Sequence, residues 1–455
     1  MSNDAVVKRD NMNWLELEAP RYTSYPSAHH FAAQTHEGHY RQWLENIGHH
    51  KAVSVYIHIP FCRELCWFCG CHTKITRRYK PIYDYIQAMF QEIKMLQHFI
   101  KGKGTLVNIY FGGGSPNLLE DSDLRSILTN VSSIFKIVTL RESSIELDPR
   151  TTSPEKIALY SSLGFNRVSI GVQDFDPKVQ LAINRFQPYS LVEKVVKNLR
   201  EAGIDQINCD LIYGLPHQNL ENFRHTLEKT ISLNPSRIAI FSYAHIPHIK
   251  KHQRMIDTTS LPSPIEKLSL YLLAHEFLQD NGYIAIGIDH FAKPSDPLTT
   301  AFKNHTLKRN FQGYVSDDTE VLIGMGSSAI SHFPEGYVQN SQNMPEYRDL
   351  VGNNRLPTIR GWQMSKDDQL QKTVIDELLC FMGVDLEEIS QRFAVDPSYF
   401  KKELDSLQSL ESLGIAKIKG YVVEVVGQYR MTARLVASVF DKYHRTMAGR
   451  YSKVV

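Results

Sequence analysis

The chain has no stretch of about eighteen or more uninterrupted apolar residues, so it offers no candidate for a membrane-crossing helix. Its opening, MSNDAVVKRDNMNW, lacks the apolar core of a secretory leader, and a cytoplasmic protein is expected. An excess of one charge is also missing. Lys and Arg number 51 against 49 Asp and Glu, which leaves no general basic field for nucleic acid. Neither GxGxxG nor GK[ST] occurs, so no nucleoside triphosphate is implied. His58, His245 and His290 fall near strand ends, but none of the three belongs to an H-x3-H or HExxH pair, and no histidine is assigned to metal. The tyrosines and phenylalanines do not alternate with a basic stripe, and read as core and pocket wall rather than a platform for bases. Low-complexity segments are absent.

Cysteine is scarce as well: six in 455 residues do not make a disulfide scaffold. Four of the six nevertheless lie within ten residues, Cys62, Cys66, Cys69 and Cys71, in the pattern C-x3-C-x2-C-x-C. Thiolates at that spacing in a tight loop suit a soft metal centre. Three of them on a four-iron cluster leave one iron open for a non-protein ligand. A structural zinc site is the bland alternative, but it takes four closed ligands, usually as two separated pairs. Cys209 and Cys380 lie far off in apolar stretches and read as packed thiols.

After a polar arm, short β-branched runs alternate with amphipathic stretches of helix length. Strands are predicted at 53–57, 106–111, 143–147, 167–170, 207–212 and 237–241, with helical patterns at 83–99, 154–163, 191–202 and 220–233. Six such units predict an α/β fold built on a partial (β/α)6 barrel of TIM type, whose active site gathers at the C-terminal ends of the strands. Beyond about residue 365 the alternation gives way to helices at 368–382, 386–393 and 397–413, a hairpin at 415–426 and a last helix at 432–443. The pattern reads as a small helix-rich, winged-helix-like module, with packing or a lid favoured over DNA binding. The divisions expected are an N-terminal arm (1–35), the barrel with its extension (36–365) and a helical C-terminal domain (366–455).

Candidate site residues fall at the predicted strand ends. The run Gly112-Gly113-Gly114-Ser115 follows a strand, where a missing Cβ lets the backbone approach a ligand or simply makes a tight turn. Glu146 alternates away from Ile145 and Leu147 and can accept hydrogen bonds from ribose hydroxyls or an ammonium, or pair with a neighbouring helix. Asp210 stands in an apolar strand and needs a partner there. Gln173 and Arg185 complete the polar set, although an arginine such as Arg185, taken alone, is usually a solvated helix residue.

The cysteine spacing followed by a glycine-rich second strand resembles the radical S-adenosylmethionine superfamily. A narrower resemblance, to the oxygen-independent coproporphyrinogen III oxidases, rests on PRYTSYPS (20–27), YIHIPFC (56–62), CGC (69–71), GGGSP (112–116), GFNR (164–167), GVQDF (171–175), DLIYGLP (210–216), YAH (243–245), DHFA (289–292), RNFQGY (309–314), GMG (324–326) and the ending RYSKVV. It covers nearly the whole chain. The resemblance implies a 4Fe–4S cluster on Cys62, Cys66 and Cys69, and cleavage of S-adenosylmethionine to a 5′-deoxyadenosyl radical. It further implies oxidative decarboxylation of two propionates of coproporphyrinogen III to vinyl groups, giving protoporphyrinogen IX in haem biosynthesis.

By the same resemblance Tyr56, Gly113, Glu146, Ala244 and Ile330 contact one S-adenosylmethionine. Phe68, Gly114, Ser115, Gln173, Arg185 and Asp210 surround a second. Cys71, Phe311 and Gln312 lie near the chemistry, and Arg21 in the arm is offered to a propionate. Implied partners are the porphyrinogen and a reduced flavodoxin- or ferredoxin-like donor, for a monomer without nucleic acid or membrane span. Departures from relatives are slight: Ser115 stands where many have Thr, and Phe111 where some have Trp. Rival readings are a haem chaperone of the same superfamily, which typically lacks the fourth cysteine and the arm, a haem-modifying radical enzyme, and an iron–sulfur electron carrier.

Overall fold

The computed structural model describes residues 14–426 and 429–444; the RYSKVV ending lies outside them. The chain divides into two compact units, one of residues 28–261 and 318–364, the other of residues up to 27, 262–317 and from 365 onward.

The larger unit carries the six expected strands, all parallel and side by side in chain order: β1 (Ala52–Ile59), β2 (Thr105–Gly113), β3 (Lys136–Leu147), β4 (Arg167–Gln173), β5 (Gln206–Tyr213) and β6 (Arg237–Ser242). Helices α1 (Lys80–Ile100), α2 (Asp121–Ser132), α3 (Pro154–Ser162), α4 (Tyr189–Glu201) and α5 (Leu220–Ser232) connect them. The near-continuous apolar runs of β1 and β2 are what a parallel sheet covered by helices requires. On the outer flank of β1 the sheet continues through β7 (Val321–Met325), parallel to β1, and then the antiparallel β8 (Ile330–Phe333), β9 (Gly336–Asn340) and β10 (Thr358–Gln363).

Long α1 owes its direction to apolar residues at helical spacing, with Ile82, Ile86, Met89, Ile93 and Leu96 all buried. Its Glu92 is buried too, and three donors converge on the carboxylate: Gly326 N–H (2.8 Å), Asn340 Nδ2 (2.7 Å) and Tyr347 O–H (2.6 Å). Two turns earlier, Tyr85 O–H donates to the His58 carbonyl (2.7 Å) at the end of β1 and accepts from Ser327 N–H (2.9 Å). The network thus fixes the mouth of β1.

Burial pushes the Glu92 carboxyl from 4.5 up to about 7 despite its donors. A carboxyl raised by folding contributes its stability below the ordinary value and loses it as pH rises through about 7. Glu92→Gln is expected to abolish that downward slope and to cost about 1–3 kcal/mol, because its amide NH2 cannot replace the second acceptor oxygen. Urea unfolding at about pH 5 and about pH 7.5 measures both effects.

In the smaller unit, residues 284–286 and 290–292 form one hairpin, and 308–310 and 313–315 another. Helix Lys366–Phe381 leads into strand 383–385, and helices Leu386–Phe393 and Lys401–Ser412 separate it from the hairpin of 416–419 and 422–425, with which it forms a three-stranded sheet in the winged-helix manner. The arm as far as residue 27 belongs to this unit: Tyr22 O–H donates to Asp441 (3.0 Å), and the Tyr22 carbonyl accepts from Arg309 Nε (2.8 Å). The last helix runs Ala433–Val439, shorter than the pattern predicts, because Asp441 turns to cap the N–H groups of Tyr443 and His444.

Candidate active site

β1 runs directly into the cysteine loop, whose closure depends on the glycines after β2. Gly114 N–H donates to the Ile59 carbonyl (2.9 Å) and Ser115 N–H to that of Phe61 (2.7 Å), drawing the two strand ends together. A Cβ on Gly114 would lie 2.5 Å from the Phe61 carbonyl oxygen, so only glycine permits the approach. The Ser115 hydroxyl then reaches Cys62 Sγ (3.5 Å).

Each of the three spaced cysteines meets hydrogen-bond donors. Cys66 Sγ faces two guanidiniums, Arg185 Nη1 (3.5 Å) and Arg150 Nη2 (3.6 Å). Cys69 Sγ accepts from the Cys71 N–H (3.4 Å). Hydrogen bonding from Cys71, which outweighs burial, brings the Cys69 thiol down to about 6, helped by the backbone N–H and by nearby His252 and Lys250. The Cys71 thiol is held well up by that same bond and by burial. Burial pushes Cys62 up to about 11, and a metal centre would favour its deprotonated form. Among the described residues no three His, Cys, Asp or Glu side chains are close enough to share one metal ion. A multi-iron cluster places its thiolates on different irons and asks for wider spacing.

A row of acids lies beside the loop at the strand ends. Glu146 Oε2 accepts from Gly113 N–H (3.0 Å). A Cβ on Gly112 would meet Glu146 Oε1 at 2.7 Å and Tyr56 at 3.0 Å, which shows how closely those two groups crowd the glycines. Solvent reaches Glu146, yet protein surrounds it, and the lost hydration pushes its carboxyl up to about 7. Its strand neighbour Ser169 donates to Asp210 Oδ2 (2.8 Å), and Asn208 Nδ2 donates to Oδ1 (2.8 Å), so two neutral side chains are among the partners Asp210 requires. Tyr56 O–H donates to His58 Nδ1 (3.0 Å), while His58 Nε2 lies 3.3 Å from the His72 carbonyl. Ile330 comes within reach of this end because Gly324, paired with Tyr56 across β1 and β7, has no Cβ; one there would stand 2.5 Å from the Ile330 carbonyl oxygen.

Gln173, at the end of β4, takes a positive φ of 66°, and its amide crowds the position a Gly171 Cβ would fill. Arg185, buried rather than solvated, donates Nη2 to the Gly171 carbonyl (2.7 Å) and pairs with Asp148 (3.5 Å). Phe68 packs its ring against the apolar cluster of Val179, Ile183, Ile212 and Tyr243. The structure therefore groups Cys62, Cys66, Cys69 and Cys71 with Ser115 and Arg185, and Tyr56 with Gly113 and Glu146. Arg21, Phe311 and Gln312 belong to the smaller unit: Arg21 is exposed with Lys267 as a cationic neighbour, and Phe311 and Gln312 form a hairpin turn.

Two sets of residues escaped the sequence reading. Asp148 and Arg150 follow directly on β3; against the cost of burial, Arg185 and Arg150 hold the Asp148 carboxyl below the usual range. The available signal was Asp-Pro-Arg at a strand end. The other set clamps the loop's carbonyls: Lys250 Nζ on Cys71 (3.1 Å), His252 Nε2 on Cys69 (2.8 Å), and buried Gln253 on both Phe68 and Ala244 (3.1 Å each). Nothing in Lys-Lys-His-Gln-Arg marks that role. Gln253 is a positioning residue that ties Phe68 to Ala244, and Gln253→Ala is expected to leave iron content intact while weakening S-adenosylmethionine binding about tenfold. Equilibrium dialysis of the reconstituted protein checks this, with Gln253→Glu restoring only the bond its carboxylate can accept, from Ile246 N–H.

The profile described as the radical SAM superfamily matches residues 56–230. The oxygen-independent coproporphyrinogen III oxidase of Bradyrhizobium diazoefficiens is 40% identical over 432 residues, 95% of this chain and 96% of that one. That of Helicobacter pylori is 36% identical, covering 96% of each. The chain belongs to the oxygen-independent coproporphyrinogen III oxidase family. A solved member, the radical SAM coproporphyrinogen III oxidase of Escherichia coli, matches with a TM-score of 0.88 at 35% identity, over 93% of this chain and 97% of that one. Membership brings with it a 4Fe–4S cluster and S-adenosylmethionine. The donors aimed at Cys62, Cys66 and Cys69 fit the thiolates of such a cluster, and the glycines cleared of side chains beside Glu146 fit a ligand bearing an amine. Among the described residues no helix is long and apolar enough to cross a membrane.

Proposed function

We propose that this chain converts coproporphyrinogen III to protoporphyrinogen IX without oxygen, each of two propionates losing a β-hydrogen, carbon dioxide and one electron to leave a vinyl group. The observation that carries the reading is the cysteine loop, supplied with donors at three sulfurs and set beside Glu146 and Asp210 at the strand ends. Cys62, Cys66 and Cys69 hold the cluster. When bound, the cluster and S-adenosylmethionine supply a hydrogen-abstracting carbon radical at the expense of one electron.

This chain's residues bind and orient. Glu146, with the Gly113 N–H already on Oε2, accepts the methionine ammonium, while Tyr56, Ala244 and Ile330 line the same S-adenosylmethionine. Gln173, Arg185 and Asp210, with Phe68, Gly114 and Ser115, surround a second S-adenosylmethionine. Cys71 serves a later step than cluster binding, and Phe311 and Gln312 meet the substrate, as does Arg21 in the arm. The protein acts as a cytoplasmic monomer fed by a reduced flavodoxin- or ferredoxin-like donor.

Anaerobic incubation with reductant, S-adenosylmethionine and coproporphyrinogen III, followed by chromatography, tests the reading. Protoporphyrinogen IX is expected. Stable haem binding without turnover would overturn it in favour of a haem chaperone.

A further inference from the structure

The motifs DHFA and RNFQGY lie together in the smaller unit and surround Tyr314. The Tyr314 hydroxyl accepts from Ile288 N–H (2.9 Å) and donates to the Leu379 carbonyl (2.8 Å), which fixes the ring. Arg309 lies over the face of that ring, 4.5 Å from its centre, and its Nε is committed to the Tyr22 carbonyl (2.8 Å). Arg430 Nε donates to the carbonyl of Gly287 (2.6 Å), where a Cβ would collide with the Tyr314 ring. Both guanidiniums are therefore held in place by one nitrogen each.

Their remaining nitrogens are not all satisfied. Arg309 Nη1 and Arg430 Nη2 are buried and have no hydrogen-bond acceptor. In the turn of the same hairpin the Gln312 side-chain nitrogen donates to nothing and its oxygen accepts from nothing, although both atoms are buried. Its backbone N–H alone is engaged, by Asn310 Oδ1 (2.8 Å). A buried donor left unmade costs about 1–3 kcal/mol, and more when charged, so three such groups on one small region mark a missing ligand.

The surrounding field gives that ligand its charge. Asp289 is the nearby acid and is already bonded to His290 Nδ1 (2.7 Å), with Arg309 and Arg434 as its other cationic neighbours. Lys267 has Arg21 and Arg434 beside it, and burial together with those two arginines brings its ammonium down to about 7. Asp376, also near Arg309, is bonded by Lys372, and Asp441 is bonded by Tyr22. Two guanidinium nitrogens without an acceptor call for an anion.

We propose that Arg309, Arg430 and the amide nitrogen of Gln312 receive a propionate carboxylate of the porphyrinogen. The proposal rests on the function given above and names the groups that select a carboxylated macrocycle. A planar guanidinium fork suits a carboxylate, and Arg309 is already oriented by its ring contact and its Nε bond. Phe311 and Gln312 are only partly buried as residues, which places the amide close beneath the surface.

The test uses full-length reconstituted protein and fluorescence titration with coproporphyrin III, the stable oxidised tetracarboxylate, against its tetramethyl ester in the same solvent mixture. Arg309→Lys and Gln312→Leu are each expected to weaken binding of the acid about tenfold and to leave the ester unchanged. Should Arg309→Lys fail to fold, Gln312→Leu carries the same test, since its side chain makes no hydrogen bond in the free protein. Equal loss for acid and ester, or no loss for either, overturns the proposal, because a packing role cannot tell a carboxylate from its ester. The two readings fail separately. A wild-type protein that forms no protoporphyrinogen while showing the acid-specific loss leaves the anion site standing without the reaction; turnover with no acid-specific loss removes the site alone.

Discussion

Replacing Cys62, Cys66 or Cys69 with Ala is expected to abolish iron incorporation, whereas Cys71→Ser keeps the cluster and loses product formation. The three share a feature that the fourth lacks: each sulfur receives a hydrogen bond, from Ser115, from Arg150 and Arg185, or from the Cys71 backbone. Such donors stabilise a thiolate. Cys71 contributes to Cys69 through its N–H, which serine retains, so the substitution spares the geometry of the loop. Between the two neighbours the acidity differs in the same sense, with the Cys69 thiol brought down to about 6 by Cys71 and the Cys71 thiol held up. Iron analysis and electron paramagnetic resonance of anaerobically reduced variants check the first half, and product chromatography the second. Loss of iron in Cys71→Ser would show that the ligands are wrongly assigned.

Gly114→Ala is expected to be nearly as damaging, by a different route. The added Cβ would stand 2.5 Å from the Phe61 carbonyl oxygen and 2.8 Å from both its carbonyl carbon and its nitrogen. All three are backbone atoms and none can rotate aside. Relief requires the strand ends to part, breaking the bonds to Ile59 and Phe61 and carrying the Ser115 hydroxyl away from Cys62. A loss of about 3 kcal/mol or more in stability is anticipated, together with most of the iron. Gly112→Ala is the control: its Cβ meets mainly the Glu146 side chain, which can turn. That variant should bind iron normally and S-adenosylmethionine poorly. Thermal unfolding and iron content of the pair separate the two outcomes, and equal behaviour would mean that Gly114 is not what closes the loop.

The strands were legible where side chains follow the burial rule. Residues 53–57, 167–170 and 207–212 are runs of β-branched and apolar groups and fall inside β1, β4 and β5. β3 shows the limit: only its last five residues read as a strand, although it begins at Lys136. Arg141 and Glu142 interrupt the pattern because they are satisfied by partners distant in sequence, Asp318 for the first and Arg167 and Arg237 for the second. The site divides in the same way. Cysteines and glycines declare themselves through spacing and through what their side chains permit. Lys250, His252 and Gln253 act on carbonyl oxygens, which every residue carries, and His252 lies 183 positions from the cysteine it grips. No local pattern can encode such a contact.

The smaller unit is assembled from three stretches of chain, and its apolar centre joins Ile286, Leu298, Leu307 and Tyr314 to Cys380. A ribosome delivers these residues in order, so everything from 284 to 315 emerges well before the helix that covers it. During that interval the nascent polypeptide presents an apolar face with no partner, a target for a holdase and a hazard for aggregation. Stop codons falling before residue 380 would make the interval permanent, and such products should be cleared by proteases rather than accumulate as a soluble fragment.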